Sequence, residues 1–376
     1  MSERTCIRDT RRVVVKIGSR TLVDDEHTLD IPRVHDLVDQ MAALRHRGLE
    51  VICVSSGAVA AGLRELGTTT RPTDLPGVQA AAAIGQAALI GIYRERFRAA
   101  GIAIGQVLLT HADLRAHERH LNARNTFFRL LAAGTVPIVN ENDTVAVDEL
   151  RFGDNDRLSA LVCALTGADG LIMLTTADGL MTSPDSNTLV PEVERVDDTI
   201  RAMAGGSDSD LGTGGMRSKV DAAAIVAQAG EWSIVANGHA PDVLRRLLDG
   251  EPLGTLFWPR AARLPGRKRW IAFFDHPRGD LVVDDGARDA IRTRGGSLLP
   301  IGVRQVRGDF ERGEPVRIID LAGTELGRGL VNHPADDIRR LLGCRSDEIV
   351  TILGRAEAVE VVHRDNLVLI DPAGPP

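Results

Sequence analysis

Residues 136–175, VPIVNENDTVAVDELRFGDNDRLSALVCALTGADGLIMLT, contain the pattern that decides the fold class of this chain. The two ends of the stretch, 136–139 and 171–175, are short apolar runs that predict buried strands. An amphipathic helix is predicted between them, because apolar side chains recur at i, i+3, i+4 and i+7, at Leu158, Leu161, Val162 and Leu165. A helix between two buried strands is typical of a parallel sheet covered by helices.

The same alternation continues on both sides of this stretch. Further strands are predicted at 12–17, 50–55, 102–109 and 233–236. Further helices are predicted at 31–47, in small-residue segments up to 61 and from 78 to 100, and at 118–133, 219–229 and 243–248. Asp30 and Pro32 suit the cap and the first turn of the helix at 31. The expected fold is α/β, a three-layer sandwich with a central, mainly parallel sheet.

The pattern changes after Trp258. The segment PRAARLPGRKR is rich in Pro, Gly and Arg, which is typical of a linker. Short apolar runs with turn signals follow, in GDLVVDDGA, GVRQVRGDF, GEPVRIIDLAG, ELGRGLVN and VEVVHRDNLVLI, and only two short helices fit, near 287–293 and 335–342. We therefore predict an α/β domain over 1–258, a linker over 259–274 and a small β-rich domain over 275–376.

Composition and charge exclude several classes of protein. We find no apolar run long enough for a membrane span or a signal peptide. The four cysteines form no C-x-x-C pair, which argues against a zinc ribbon or a disulfide framework and predicts a cytoplasmic protein. The net charge of −7 divides into −8 over the first 259 residues and about +1 over the rest, so anions must be bound by local groups.

Lysine is rare in this chain. Only three of the 45 lysines and arginines are lysines, namely Lys16, Lys219 and Lys268. Lys16 and Lys219 lie in the glycine-containing segments VVVKIGSR and GTGGMRSK, where a compact ammonium fits a narrow phosphate site that rejects a broad guanidinium. Chance retention is the alternative for these two, and it is our interpretation for Lys268 in GRKRW.

Several motifs are expected at the carboxyl ends of the strands, where ligands bind in a doubly wound sheet. In Lys16-Ile-Gly18-Ser19, the glycine allows close approach of a ligand and the lysine supplies charge. In 55–58, SSGA, backbone N–H groups at a helix start could bind an anion, although a simple serine cap is the alternative. A hydrolase nucleophile motif, G-x-S-x-G, is absent from the sequence.

Two acidic and amide-rich motifs follow in the stretch quoted first. The run 140–143, NEND, suits recognition of an amino-acid head group, with a plain Asx-rich turn as the alternative. In 153–156, GDND, Asp154 or Asn155 could cap the helix. Asp156 could gain from the helix dipole alone or could hold two lysines in place.

The run 212–219, GTGGMRSK, is a glycine-rich loop that leads into a helix. Its amides could form an anion nest, with Lys219 reaching a terminal phosphate. It is neither a P-loop nor a dinucleotide fingerprint. We interpret His117 and His120 as part of a solvated helix start rather than a metal site, and 80–88, with Gly85 and Gln86, as a tightly packed helix rather than a binding motif.

These motifs, in this order, resemble the amino acid kinase family and within it the branch that phosphorylates glutamate. The matching segments include VVVKIGSRTL, VSSGAVAAG, GQAALIGIY, VPIVNENDTVAV, FGDNDRLSALVCALTGADGLIMLT and GTGGMRSKVDAA. The tail resembles a PUA domain through VVDDGARDAI, SLLPIGV, GDFERGEPVRI and GRGLVN. The resemblance implies Mg-ATP as donor, the side-chain carboxylate of L-glutamate as acceptor, and L-glutamyl 5-phosphate, the first intermediate of proline synthesis, as product.

The resemblance also implies roles for single residues. Lys16 and Lys219 would stabilise the transferring phosphoryl group, with Asp156 organising them. The glutamate site would be formed by Ser56, Gly57, Asn140, Asp143 and Asn155. The ATP site would be formed by Lys16, Gly18, Ser19, Thr175, Thr176, Thr213, Gly214, Gly215, Met216, Arg217, Ser218 and Lys219. The chain departs from the family at Thr176 and Met181, where Asp and Tyr are usual, so the adenosine contacts stay open; the metal ligands are also unknown.

The resemblance extends to partners and rivals. It implies a homo-oligomer, a dimer or a tetramer, and feedback inhibition by proline. Rival acceptors on the same fold are N-acetylglutamate, carbamate, aspartate and a nucleotide monophosphate. A rival of another class is an RNA-binding protein that acts through the tail, but the balance of about +1 does not supply the usual basic patch. Regulation or assembly is the other role for the tail.

Overall fold

The computed structural model describes residues 4–24, 28–115, 117–145, 155–183, 186–205, 215–260, 265–273, 277–354 and 358–370. The chain forms two compact units that divide between Arg263 and Leu264. Each unit has its own hydrophobic core cluster. A helix, Gly266–Phe273, occupies part of the segment 259–274 that was predicted as a linker, and the exact domain boundaries stay a prediction.

A mainly parallel sheet forms the centre of the first unit, as predicted. Its strands are β1 (Arg12–Ile17), β2 (Glu50–Val54), β3 (Ile104–Leu109), β4 (Val136–Glu141), β5 (Gly170–Thr175), β6 (Glu192–Val193), β7 (Trp232–Asn237) and β8 (Thr255–Phe257). The spatial order is β3-β4-β2-β1-β5-β7-β8-β6. Pairing is parallel from β3 to β7, and β8 is antiparallel to β7. Strand β1 lies in the middle and is buried from Val13 onward, which explains its β-branched sequence.

Helices cover both faces of this sheet. They are α1 (Thr5–Arg8), α2 (Ile31–His46), α3 (Ala58–Glu65), α4 (Leu75–Ala99), α5 (His111–Arg115), α6 (His117–Ala132), α7 (Asn155–Thr166), α8 (Asp198–Met203), α9 (Met216–Ala229) and α10 (Val243–Leu248). Helices α6, α7 and α9 pack side by side in one layer, and α2, α4 and α10 form the other. Asp30 caps α2 as predicted, since its carboxylate accepts the N–H of Arg33 at 3.0 Å.

Small residues bring α3 and α4 into backbone contact. A Cβ built on Gly85 would lie 1.8 Å from the carbonyl oxygen of Ala58, and one on Gly62 would lie 1.8 Å from that of Ala81. Only hydrogen fits at either position. The close packing that was predicted for the alanine-rich run is therefore confirmed at Gly85.

The same helix requires one correction. Within the described residues α4 is the one helix that is long and apolar enough, by length and composition, to cross a membrane, whereas the sequence predicted no such segment. Alanine and glycine separate the larger apolar side chains of Leu75–Ala99, so the helix contains no long unbroken run of large apolar residues. A single helix of this kind is a weak indication of a membrane span, because helices of soluble proteins pass the same test.

The second unit is β-rich, as predicted. Its elements are α11 (Gly266–Phe273), β9 (Gly279–Val283), α12 (Asp285–Arg294), β10 (Val303–Gly308), β11 (Pro315–Ile319), β12 (Glu325–Leu330), α13 (Ala335–Arg340), α14 (Ile349–Leu353) and β13 (Leu367–Leu369). The strand order is β10-β9-β11-β12-β13. The prediction of only two helices after the linker was wrong, because α14 is also present. Residues 349–353, IVTIL, have a β-type composition that conceals the helix.

Candidate active site

Four neighbouring strands end at one edge of the first sheet. Lys16 pairs with Val54 of β2 and Met173 of β5, and Val54 pairs with Val139 of β4. The polar residues that follow these strands therefore lie along the same edge, which we call the site edge: Lys16 to Ser19, Ser55 to Gly57, Asn140 to Asp143, and Thr175 with Thr176. Helices α7 and α9 begin in the same region.

Two lysines and one aspartate meet at the site edge. Lys16 Nζ lies 2.6 Å from Asp156 Oδ1, and Lys219 Nζ lies 3.0 Å from Asp156 Oδ2. Ser218 Oγ donates to the same Oδ2 at 2.6 Å. The side chains of Lys16, Asp156 and Lys219 are 6%, 1% and 5% exposed. Residues 203 positions apart in the chain thus share one carboxylate, because β1, the first turn of α7 and the first turn of α9 converge here.

This lysine–aspartate cluster holds one positive charge in excess. Burial by itself would raise the pKa of Asp156, but the ammonium groups of Lys16 and Lys219, with hydrogen bonds from Lys16 and Ser218, hold it well below its ordinary value. Asp156 is therefore ionised at neutral pH. Its contribution to stability is present above the ordinary carboxyl pKa of 3.8 and is lost as the pH falls below it. The excess charge suits an incoming anion.

Side-chain amides form a second cluster beside the first. Asn155 Nδ2 lies 3.1 Å from each of three acceptors, the carbonyl oxygen of Ser55, Ser56 Oγ and Asn140 Oδ1. Asn140 Nδ2 donates to Gln86 Oε1 at 2.7 Å. Asn155 Oδ1 is buried and has no hydrogen-bond partner among the described residues. The cluster therefore leaves one acceptor for a ligand.

A buried tyrosine contacts the turn after β2. Ser55 Oγ lies 3.0 Å from the hydroxyl of Tyr93, which is fully buried. Gly57 has φ +92°, a conformation that favours glycine, and it precedes the first residue of α3. The turn thus directs Ser56 and the start of α3 toward the site edge.

Asp143 lies just beyond β4 in a half-buried position. Burial raises the pKa of its carboxyl group to about 6, and the guanidinium of Arg71 opposes this in part. Within the part of the chain that the structure describes, this carboxylate has no hydrogen bond and no ion pair. A ligand cation would restore an ordinary pKa.

The predicted nucleotide residues are only partly described. Thr213 and Gly214 lie outside the described residues. Gly215 and Met216 open α9, while Arg217 Nε contacts Asp221 Oδ2 of its own helix at 3.2 Å. Gly18 directly follows β1. Its N–H donates to the carbonyl oxygen of Leu174 at 3.0 Å, which joins the turn after β1 to β5.

Beyond β5, Thr175 is half-buried and Thr176 is exposed. Asn237 Nδ2, at the end of β7, donates to Asp178 Oδ1 at 2.9 Å. Asp178 and Asn237 are not among the predicted site residues, although Asp178 is an acid two positions after the unusual Thr176.

The structure thus brings together Lys16, Lys219, Asp156 and Ser218 in one cluster and Ser56, Asn140 and Asn155 in another. Among the described residues, no hydrogen bond or ion pair joins Asp143, Thr175 or Thr176 to either cluster. Sequence reasoning missed Gln86, which was assigned to helix packing alone. The signal that could have found it is a polar side chain inside an otherwise alanine-rich run. The catalytic and binding roles of all these residues stay predictions.

Residues 11–237 match the amino acid kinase family, and residues 279–353 match the PUA domain family. A glutamate 5-kinase of Chromohalobacter salexigens is 47% identical over 372 residues, which cover 98% of each chain. One of Ralstonia nicotianae is 46% identical and covers 98% of this chain and 100% of that protein. One of Deinococcus radiodurans is 48% identical and covers 96% and 100%.

The family match covers more than half of the chain, and the relatives align over nearly its whole length. Both resemblances drawn from the sequence, in the first unit and in the tail, are confirmed by these comparisons. The parallel sheet, with polar residues at the carboxyl ends of its strands, agrees with these family matches. The chain therefore belongs to the amino acid kinase family and carries a PUA domain in its second unit.

Proposed function

We propose that this chain transfers the γ-phosphoryl group of ATP to the side-chain carboxylate of L-glutamate. The product is L-glutamyl 5-phosphate, and the reaction is the first step of proline biosynthesis. The observation that carries the proposal is the pair of buried ammonium groups, Lys16 and Lys219, on the two oxygens of Asp156. The relatives named glutamate 5-kinase, aligned over nearly the whole chain, support the choice of acceptor.

The mechanism needs no general base. A glutamate side chain is already an anion at neutral pH, with an ordinary pKa of about 4.3. Two anionic groups must be brought together in line, so catalysis consists of positioning and compensation of charge. Lys16 and Lys219 supply that compensation at the transferring phosphoryl group, and Asp156 holds both amines in place without removing their net positive charge.

The amide cluster and Asp143 are assigned to the glutamate head group. The buried Asn155 Oδ1 lacks a donor among the described residues, and the Asp143 carboxylate has a raised pKa. An ammonium group satisfies both requirements. Ser56 and Gly57, at the start of α3, offer a hydroxyl and a backbone N–H to the α-carboxylate.

ATP is assigned to the other side of the lysine–aspartate cluster. Gly18, Ser19, Thr175, Thr176 and the segment 213–219 form that site in the proposal. The described residues contain no group of three or more His, Cys, Asp or Glu side chains that could hold a metal ion. Both oxygens of Asp156 are engaged by lysines, so Mg²⁺ would be held by the phosphates of ATP and by water, and it would neutralise phosphate charge.

The test is ATP turnover with L-glutamate and hydroxylamine, which traps an acyl phosphate as a hydroxamate. We expect hydroxamate only when ATP and L-glutamate are both present. The rival acceptors N-acetylglutamate, carbamate, aspartate and nucleotide monophosphates are screened under the same conditions by ADP release. Faster turnover with any of them than with L-glutamate would refute the proposed acceptor.

The proposal extends to assembly, regulation and location. We propose a homo-oligomer, a dimer or a tetramer, because α4 exposes apolar surface such as Ile84, which is 40% exposed. We propose inhibition by proline, which shares the α-carboxylate and the cationic amine of glutamate. We propose a cytoplasmic location, which suits the four free cysteines. Size-exclusion chromatography and inhibition assays check the first two.

We propose regulation or assembly, rather than RNA binding, as the role of the PUA domain. Several arginines on its surface are paired with carboxylates, as in Arg317–Asp280 and Arg304–Asp284, each at 2.7 Å. Such pairing reduces the charge that is available to a phosphate backbone. Salt-dependent retention of RNA by the full chain would contradict this and would favour the RNA-binding alternative.

A further inference from the structure

We propose that Gln86 is a positioning residue that sets the recognition of the substrate's α-ammonium group, acting through Asn140 and Asn155. The inference rests on the function proposed above and deepens it. Gln86 lies half-buried on α4, and its Oε1 accepts a hydrogen bond from Asn140 Nδ2 at 2.7 Å. Asn140 Oδ1 in turn accepts from Asn155 Nδ2 at 3.1 Å. Three amides from α4, β4 and α7 thus form one chain.

Two backbone groups determine which way these amides point. The N–H of Glu141 can only donate, and it lies 2.9 Å from Asn140 Oδ1. The carbonyl of Ser55 can only accept, and it lies 3.1 Å from Asn155 Nδ2. Asn140 must therefore present its Nδ2 to Gln86. Asn155 must keep its Oδ1 away from Ser55 and Asn140.

The fixed orientation of these amides determines the surroundings of Asn155 Oδ1. This atom is buried and has no hydrogen-bond partner within the described residues. A buried acceptor without a donor costs free energy, so the site favours a ligand that brings an N–H group. Rotation of the Asn155 amide would place Oδ1 against two other acceptors and is therefore blocked while Asn140 stays in place.

Gln86 keeps Asn140 in place. Asn140 is 2% exposed, so its Nδ2 needs an acceptor inside the protein. Without one, the Asn140 side chain would turn to find another partner, and Asn155 would lose the acceptor that fixes its orientation. Methionine at 86 has a similar length but no strong acceptor, whereas glutamate keeps two carboxylate acceptors. A comparison of the Gln86→Met and Gln86→Glu variants therefore separates the effect of the hydrogen bond from the effect of packing.

The experiment measures kcat and KM for L-glutamate, ATP and glutarate in the full chain. Glutarate has the same two carboxylates but no ammonium group. We expect Gln86→Met to raise KM for L-glutamate about tenfold, with kcat and KM for ATP within about twofold of the wild type. The preference for L-glutamate over glutarate should fall by the same factor. Gln86→Glu should restore KM to within about threefold. Gln106→Met, at an exposed glutamine of the edge strand β3, is the matched control.

Three results would overturn the inference. One is a wild-type KM for L-glutamate in Gln86→Met. Another is equal damage in the Met and Glu variants, which would reduce Gln86 to packing. The third is an equal loss with glutarate and L-glutamate. Absence of hydroxamate from the wild type with L-glutamate would instead refute the proposed function, so the two failures are distinguishable.

Discussion

At the scale of single residues, the lysine–aspartate cluster depends on the size of its cations. Both ammonium groups are almost fully buried on one carboxylate, where the wider guanidinium would displace its neighbour. We expect Lys16→Arg to keep the charge and to lower kcat about 100-fold or more, because a displacement of about 1 Å is enough for such a loss. Hydroxamate formation under saturating ATP and L-glutamate measures it.

Lys268→Arg is the matched control for this substitution. Lys268 is the third lysine of the chain, and it lies on α11 in the second unit. The Lys268→Arg variant should keep wild-type turnover. Equal activity of the two variants would contradict the argument from cation size.

Asp143 predicts a pH dependence of glutamate binding. Burial raises its pKa to about 6 in the free protein. In the proposed site, the substrate ammonium pairs with the ionised form. Protonation therefore competes with glutamate, and KM for glutamate should rise roughly tenfold per pH unit below the pKa. Steady-state assays between about pH 5 and pH 8 measure it.

Asp143→Asn is the control for the pH profile. Its KM for glutamate should be high throughout and nearly independent of pH in this range. Since the fold disfavours the charged carboxylate above about pH 6, the variant should also be more stable at pH 8 by roughly 1 kcal/mol, measured by denaturant unfolding. A wild-type pH profile in Asp143→Asn would show that another group titrates.

Much of the site was predictable from single residues, and some was not. Lys16, Asp156 and Lys219 were predicted because rare lysines and an acid lie near the end of a strand or in the first turn of a helix. Gln86 was not predicted, because its role in our proposal depends on a hydrogen bond from Asn140, which lies 54 positions away in the chain. The spacing of residues along the chain does not reveal a contact between residues so far apart.

At the scale of elements, the contact between α3 and α4 supports the proposed glutamate site. We expect Gly85→Ala to destabilise the fold by about 1–3 kcal/mol, since its Cβ would lie 1.8 Å from the Ala58 carbonyl. It should also raise KM for glutamate, because Ala58 is the first residue of α3 and follows Ser56 and Gly57. Denaturant unfolding and steady-state kinetics measure the two effects.

Gly91→Ala, on the same helix, provides the comparison. A Cβ there meets nothing within 4 Å, so alanine should stabilise the helix by about 0.5–1 kcal/mol. Kinetics should stay unchanged. If both variants were equally destabilised, loss of glycine itself, and not the contact with α3, would be the cause.

The long elements agreed with their predicted positions, whereas some short ones, such as β6, β8 and α14, were not predicted. Strand β1 was predicted from Arg12 to Ile17 and is found there, because a central parallel strand is apolar on both faces. Strand β6 has two residues and pairs with β8, where Glu192 lies opposite Leu256, and α14 has five residues of β-type composition. For such short segments tertiary contacts decide the structure and local propensity does not.

At the scale of the whole molecule, the two units have separate cores, and every described residue of the candidate site belongs to the first. We therefore expect a chain that ends after Arg260 to fold and to form hydroxamate at a rate within about threefold of the full chain. Circular dichroism would verify folding before the assay. A folded but inactive fragment would show that the PUA domain contributes to catalysis.

The buried hydroxyl beneath Ser55 has a practical consequence. Tyr93 is the only tyrosine of the chain, and burial raises its pKa well above the usual 10. Alkali that ionises an exposed phenol should leave this one untouched until the first unit opens. The absorption band of the phenolate would then report unfolding of the first unit without any attached label. Unfolding of the second unit would not change this band.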